Sequence, residues 1–282
     1  MKPAAFDYIR IDAPEEACAL LSEHGDAARV LAGGQSLMPL LNMRLTQPRV
    51  LLDISRCPGL DHVRVDGEHF TVGAATTQAT VEQRADLRGE VPLLAQAFPH
   101  ISHFQIRNRG TVCGSIAHAD PSAELPLCLL ALGGEVVLRS RRGHRRVRAN
   151  DFFRGLLTTD RRPDELIVEA RFPRAPTGTG CAFEEFSMRY GDYAVVAAAA
   201  VVTRSQIRLA IGGVADRPTA VQWSSLEPAD LETALNDFAW SLDAQDDAQA
   251  SAHMRRHLVR HLGSNVIARA RAALAKPIAS PT

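Results

Sequence analysis

Apolar positions along the first part of the chain follow two periods in turn. A short run at residues 6–9 predicts a strand. Pro14 then opens a helical pattern in which Ala17, Leu20 and Leu21 share a face and Gly25 is placed to stop it. ARVLAGG reads as a buried strand ending in a turn, SLMPLLNMRL as a short helix with Pro39 in its first turn, and RVLLDIS as another strand. These make a β-α-β-type unit.

Residues 67–74 alternate as a strand. TTQATVEQRADL follows as a capped helix, and PLLAQAFPHIS as a second with Pro92 near its start. IRNRGTVCGSIAHADPSAELP has neither period over most of its length, and long irregular stretches often carry function. AELPLCLLALGG resumes as a helix closed by Gly133 and Gly134. EVVLRS, RRVRA and DELIVEARFP, ended by Pro173, predict strands. RAPTGTG, residues 174–180, has a linker's composition.

Beyond it, AFEEFSMR, AVVAAAAVVT and IRLAIGGVADRP predict strands of one sheet. From Pro228 the pattern is helical to the end, with stripes at Leu231, Ala234, Leu235, Phe238 and at Leu258, Leu262, Ile267. The expected fold class is α+β. An N-terminal domain, residues 1–176, holds subdomains of about 1–55 and 56–176. The C-terminal domain, residues 177–282, is an antiparallel sheet packed with helices. No internal repeat of fixed period is present.

Composition narrows the function classes. The 282 residues are 46% hydrophobic and 23% charged, an ordinary globular mixture, and 32 basic residues balance 32 acidic ones. That balance gives no expectation of a nucleic-acid partner. The basic cluster RSRRGHRRVR, residues 139–148, reads as a solvated hairpin or as a docking surface for a partner chain. MKPAAFDYIR has no apolar signal core and no segment reaches the length of a membrane span, so a cytoplasmic location is expected. The cysteines are odd in number and too dispersed for a CxxC pair, against a disulfide scaffold and against a zinc or iron–sulfur site.

Candidate chemistry concentrates in two stretches. In Ala32-Gly33-Gly34-Gln35-Ser36, glycines let a ligand approach the backbone, and consecutive N–H groups can converge on an anion. The helix that follows adds its positive end and Ser36 a hydroxyl donor, which suits a phosphate or diphosphate. The pattern is neither GxGxxG nor a Walker sequence. Thr111-Val112-Cys113-Gly114-Ser115 is a second small-residue loop with flanking hydroxyls, directly after Arg107, Asn108, Arg109 and Gly110. Two such loops could grip a dinucleotide's diphosphate together. Asp120 and Glu124 lie one helical turn apart, as a helix cap and a first-turn carboxylate or as ligand contacts.

AGGQSLMPLLNMRL followed by IRNRGTVCGSIAHADPSAELP closely resembles the FAD-binding medium subunits of molybdenum hydroxylases. These are flavoprotein chains of the carbon monoxide dehydrogenase, quinoline oxidoreductase and nicotine dehydrogenase type, related to the xanthine dehydrogenase flavin domain. FEEFSMRYGDYAVVAAAA and LAIGGVADRP extend the resemblance through the C-terminal part. It implies a PCMH-type N-terminal domain with non-covalent FAD between its subdomains and the C-terminal domain. It implies that Ala32, Gly33, Gly34, Gln35 and Ser36 wrap the diphosphate, with Leu37 next to them, and that Thr111, Gly114 and Ser115 grip it from the second loop. Glu124 matches a contact on the ribose or adenine side, Ile101 and Ile167 match apolar wall positions, and Tyr193 matches an aromatic beside the isoalloxazine. The family often has Gly-Gly where this chain has Cys113-Gly114.

The resemblance further implies an electron-transfer oxidoreductase subunit with no catalytic nucleophile or base and no metal of its own. A large partner subunit would hold molybdopterin, and a small one two [2Fe–2S] clusters, in a dimer of heterotrimers. Electrons would pass through FAD to an external acceptor. A stand-alone FAD-dependent reductase or oxidase of the same fold is the rival reading, and a nucleotide-binding scaffold without redox work another. Five residues keep open readings: His118 as base or flavin attachment against a structural neighbour, and Cys113 as redox-active against packed. Arg107 and Arg109 could offset phosphate charge, or pair with carboxylates or face a partner. Tyr193 could also be simple core.

Overall fold

The computed structural model describes residues 2–176 and 178–274. Thr177, within the expected linker and first in the expected second domain, lies outside the described residues, as do residues 275–282 at the end of the expected helical region. The first unit runs β1 (Asp7–Arg10), α1 (Pro14–His24), β2 (Ala28–Leu31), α2 (Leu37–Asn42) and β3 (Val50–Asp53). Its strands are parallel in the order β1-β3-β2, joined by the helices as crossovers. Pro14 does open α1 and Gly25, at φ 53°, closes it, so that Ala17, Cys18 and Leu21 face inward. Pro39 sits within the first turn of α2, where a missing N–H costs nothing.

The second unit starts with a hairpin, β4 (Val63–Asp66) and β5 (His69–Gly73). Six helices follow: α3 (Gln78–Glu82), α4 (Leu87–Glu90), α5 (Pro92–Ala97), α6 (Phe104–Arg107), α7 (Val112–His118) and α8 (Glu124–Leu132). The chain returns through β6 (Glu135–Ser140), β7 (Gly143–Arg148), α9 (Ala149–Phe152), a small hairpin β8 (Phe153–Gly155) and β9 (Thr158–Thr159), and β10 (Leu166–Pro173). The antiparallel sheet has the order β4-β5-β10-β6-β7. All of α8 except Leu132 is buried, the mark of a helix that runs through a core.

In the third unit β11 (Gly180–Ser187), β12 (Ala194–Val202), β13 (Gln206–Gly212) and β14 (Thr219–Ser224) pair in chain order as an antiparallel sheet. α10 (Pro228–Ser241) and α11 (Ala252–Leu274) complete it. The alanine run of β12 has a physical reason. Ala197 and Ala199 belong to the core shared with the first two units, whereas Ala198 and Ala200 belong to the core under α10 and α11. A strand covered on both faces reads as continuous apolar sequence, and small side chains let helices approach from either side.

Several expectations need correction. The strand expected at residues 67–74 is the second half of a hairpin, because Gly67 turns the chain at φ 56° after an unforeseen β4. The stretch expected to be irregular contains α7, whose core positions Val112, Cys113 and Ile116 are too few to register as periodicity. Thr111 to Ser115 is therefore a capped helix start and not an extended loop. Likewise β8, β9 and β14 went unforeseen, being short or lacking an apolar run. Replacing Ala199 by Leu should wedge the sheet away from α8. We expect a loss of about 1–3 kcal/mol in urea unfolding of the full chain, from overpacking a position 0% exposed.

Candidate functional site

One cavity of about 810 Å³ draws its walls from all three units. Its floor begins at the turn between β2 and α2. Gly34 holds φ +72°, which favours glycine, and Gly33 is pressed against the neighbouring segment. A Cβ on Gly33 would lie 2.1 Å from the Arg109 carbonyl oxygen and 2.7 Å from Gly110 Cα. The first small-residue stretch is thus in direct backbone contact with Arg109 and Gly110, which lead into the second.

Neither stretch spends all its donors on the protein. The backbone N–H groups of Gly33, Gly34, Gln35, Ser36 and Leu37 find no acceptor among the described residues. Gln35 turns back, its Nε2 donating to the Gly33 carbonyl at 2.9 Å, and Ser36, at the cap position of α2, makes no side-chain cap bond. In the second stretch Thr111 caps α7: its Oγ1 accepts from Gly114 N at 2.9 Å. Gln78 N donates to Gly110 O at 2.8 Å and Val112 N to Thr76 O at 3.3 Å, which tie this stretch to the start of α3. The Cys113 N–H, in the first turn of α7, also lacks an acceptor among the described residues.

The remaining positions named from the sequence line the same cavity. Ala32, Leu37, Ile101, Ser115, Glu124, Ile167 and Tyr193 all contribute. Ile101 and Ile167 are buried apolar wall, whereas Tyr193 is 51% exposed at the β11–β12 turn and so is not a core residue. Glu124, the first residue of α8, is 5% exposed. Burial, and then the charge of Glu185, push its carboxyl up to about 8, so it carries a proton at neutral pH. Asp120 does not cap that helix. Its Oδ1 accepts from Ser122 N at 2.9 Å in a local turn, and Ala123 holds the cap position without a side-chain bond.

Other open readings resolve. Cys113 is packed: its Sγ donates to Val72 O at 3.5 Å, and burial pushes the thiol up to about 12. All five cysteines are buried and unpaired. His118 ends α7 on the cavity wall, where burial lowers its pKa against the opposing pull of Asp120, keeping the ring neutral at neutral pH. Arg107 takes the carboxylate option, with Nε to Glu82 Oε2 at 2.7 Å and Nη2 to Oε1 at 3.1 Å. Its Nη1 ties down the carbonyls of Ile101 and Ser102. The Arg109 side chain is exposed, and its contribution is the carbonyl against Gly33. The basic 139–148 cluster forms the β6–β7 hairpin, its Arg145 forked onto Glu165 and Asp160 and its Arg142 on Asp164.

Sequence reading missed Gln78, Arg29, Arg161 and Leu157, all of which line the cavity. Gln78 is 5% exposed, and its Oε1 is buried without a partner among the described residues. Leu157 and Ser102 hold φ 52° and 43°, strained for non-glycine residues, and both border the cavity. None of these carries a sequence signature. Among the described residues no group of three or more His, Cys, Asp or Glu could hold a metal ion. No described helix is long and apolar enough to cross a membrane. The arrangement offers a floor of unused donors, apolar and aromatic walls, and a protonated carboxyl, a chemistry that suits an extended ligand with an anionic middle.

Residues 4–175 match the family model described as the FAD binding domain in molybdopterin dehydrogenase. The 6-hydroxypseudooxynicotine dehydrogenase complex subunit alpha of Paenarthrobacter nicotinovorans is 45% identical over 72% of this chain and 69% of its own length. The nicotine 6-hydroxylase medium subunit of the same organism is 39% identical over 86% of this chain and 89% of its own. Among solved structures, a chain of carbon monoxide dehydrogenase from Hydrogenophaga pseudoflava superposes with a TM-score of 0.92. It has 31% identity, over 97% of this chain and 99% of that one.

The raised carboxyl of Glu124 predicts a pH effect. Between the ordinary value of 4.5 and about 8 the folded chain keeps a proton that the unfolded chain releases, so stability falls as pH rises through that window. At about 1.4 kcal/mol for each pH unit of the window, the loss reaches a few kcal/mol. Glu124→Gln should lack this component. In urea unfolding of the flavin-free chain it should gain on the wild type from about pH 5 to about pH 9.

Proposed function

We propose a function from one premise: the chain belongs to the FAD-binding-domain family of the molybdopterin dehydrogenases. It is the FAD-carrying medium subunit of a multi-subunit molybdenum hydroxylase, an oxidoreductase. The observation that carries the site assignment is the backbone contact of Gly33 with Arg109 and Gly110, which sets two donor-bearing turns on one cavity.

The residues present fit the cofactor. Unused N–H groups at Gly33, Gly34, Gln35, Ser36 and Leu37 suit a diphosphate, with the Ser36, Thr111 and Ser115 hydroxyls and Gly114 beside it. Ala32 continues the same turn. Tyr193 and Ile101 would bound the isoalloxazine, Ile167 the remaining apolar wall, and protonated Glu124 would donate to a ribose-side oxygen. FAD, when bound, supplies the centre that accepts electrons and hands them on. The chain's own residues hold it, screen it from water and need no nucleophile, base or metal.

The partners follow from the same reading. A large subunit carries molybdopterin and a small one [2Fe–2S] clusters, and electrons leave through this chain's FAD to an external acceptor. We place the assembly in the cytoplasm as a dimer of heterotrimers. The division into 1–176 (subdomains about 1–55 and 56–176) and 177–282 is part of the proposal, supported by the β1-β3-β2, β4-β5-β10-β6-β7 and β11-β12-β13-β14 sheets, each of which falls within one of those ranges. The stand-alone reductase or oxidase is not favoured, because the relatives are themselves named as subunits.

The test is co-purification from the native source. Two further chains should accompany this one, with flavin and iron–sulfur absorbance in the same fraction, and substrate should bleach the flavin only in the complete assembly. A double Gly33→Val, Gly34→Val chain should lose visible flavin absorbance, since one side chain meets the Arg109 carbonyl and the other sits at φ +72°. Full flavin occupancy in that variant would overturn the site assignment.

A further inference from the structure

We propose that Glu185 and His100 form a clasp between the second and third units, and that this clasp positions Tyr193 at the cavity. The proposal rests on the flavin reading above. β11 is an edge strand, and α5 covers its free edge. Gln96 Nε2 donates to Cys181 O and Gln96 Oε1 accepts from Phe183 N, both at 3.2 Å. Cys181 and Phe183 belong to the core shared with the first two units. The strand period of two puts residue 185 on the same inward face, where an aliphatic side chain would fit the pattern. The chain has a glutamate there instead, and its side chain is 2% exposed. Oε2 is buried without a partner among the described residues, and Oε1 lies 3.3 Å from His100 Nδ1. A carboxylate is costly in such a place, and an apolar residue of similar volume would serve stability as well or better. Stability therefore does not account for Glu185.

The contact sits where two segments meet at the cavity. His100 ends a helical turn, Phe98–His100, directly before Ile101 and Ser102, which both line the cavity. β11 leads into the turn that carries Gly191, Asp192 and Tyr193 to the same cavity. The register of β11 on β12 shifts between Phe186 and Ser187, so the chain leaves the regular ladder just after Glu185. Further contacts fasten this turn to residues 99–103. The His100 ring centroid lies 5.2 Å from that of Phe183 and 6.4 Å from that of Tyr190. Tyr190 Oη donates to Pro99 O. Gly191, at φ +85°, packs so closely that a Cβ would stand 3.2 Å from Ser102 O and 3.3 Å from His103 Cε1. Tyr190 is 69% exposed, so these outer contacts are open to water and Glu185 supplies the buried end of the set. Arg107 holds the carbonyls of Ile101 and Ser102 from its own side. The spacing between the Ile101 wall and Tyr193 is set in this way by one buried polar contact and a few rim contacts. The charge of Glu185 also reaches the cavity, where it helps to keep Glu124 protonated.

The FAD-loaded protein, in the assembly it purifies with, is read by time-resolved flavin emission, which an aromatic side chain beside the ring quenches. Tyr193→Ala should raise the emission. Glu185→Leu restores the apolar strand pattern and should unfold in urea no earlier than wild type. It should keep FAD affinity within about threefold, yet raise the emission about twofold or more, toward the level of Tyr193→Ala. Adding His100→Phe to Glu185→Leu should change nothing further, because the two residues act as one contact. Glu185→Leu in the Tyr193→Ala background should likewise add nothing. Wild-type emission from Glu185→Leu, a further rise on adding His100→Phe, or a rise that persists undiminished without Tyr193 would each overturn the clasp alone. Loss of FAD from Glu185→Leu would do the same, since the diphosphate floor lies on other residues. A Tyr193→Ala assembly that emits no more than wild type would overturn the placement of Tyr193 and the clasp with it. An assembly that carries no flavin would overturn the flavin reading itself.

Discussion

The carbonyl oxygen of Arg109 occupies the space where a side chain on residue 33 would begin. That contact joins two pieces of chain with different scaffolds. One is the turn leaving a parallel strand of the first unit. The other leads into α7 of the second and is anchored to α3 through Thr76, Gln78 and Gly110. Because the joint is backbone on backbone, it has no rotamers to relax, and the donors on either side keep a fixed spacing. The rest of the cavity is arranged around this joint. Arg107 ties down the carbonyls of Ile101 and Ser102, and the β11–β12 turn brings Tyr193 from the third unit.

The electrostatics complement the joint. Backbone N–H groups left without acceptors form a fixed field of partial positive charge that needs no reorganisation when an anion arrives. Buried carboxylates close to such a field would compete with the ligand if ionised. The surroundings of Glu124 prevent this by keeping it neutral, since burial and Glu185 both disfavour its charge. The basic hairpin at residues 139–148 draws its partners from Glu15, Asp160, Asp164 and Glu165. Arg142, Arg145 and the loop before β10 are thus held together, fixing the wall that bears Arg161.

How much of this was legible in the sequence depended on the kind of signal each residue leaves. Gly33, Gly34, Thr111 and Gly114 were readable, because turn and cap chemistry restricts residue type locally. The helix α1 was legible end to end from Pro14 and Gly25. By contrast, α7 is seven residues long with three buried positions, too short for any period to emerge. Gln78, Arg29 and Arg161 look like ordinary polar surface residues, and only the packing of distant segments turns them toward one space. The failed assignment of Asp120 as a helix cap is of the same kind. Asp favours both a cap and a local turn, and the backbone beyond it decided between them.

The cysteines carry a consequence of their own. All five are buried, and burial raises the pKa of every one, Cys113 to about 12 and Cys181 to about 11. Peroxide attacks the thiolate, and access governs how fast. A flavoprotein that leaks electrons to oxygen generates such oxidants beside its own backbone. Here no sulfhydryl stands ready to become a sulfenic acid or a mixed disulfide. The same close packing that shapes the cavity keeps every thiol protonated and away from solvent.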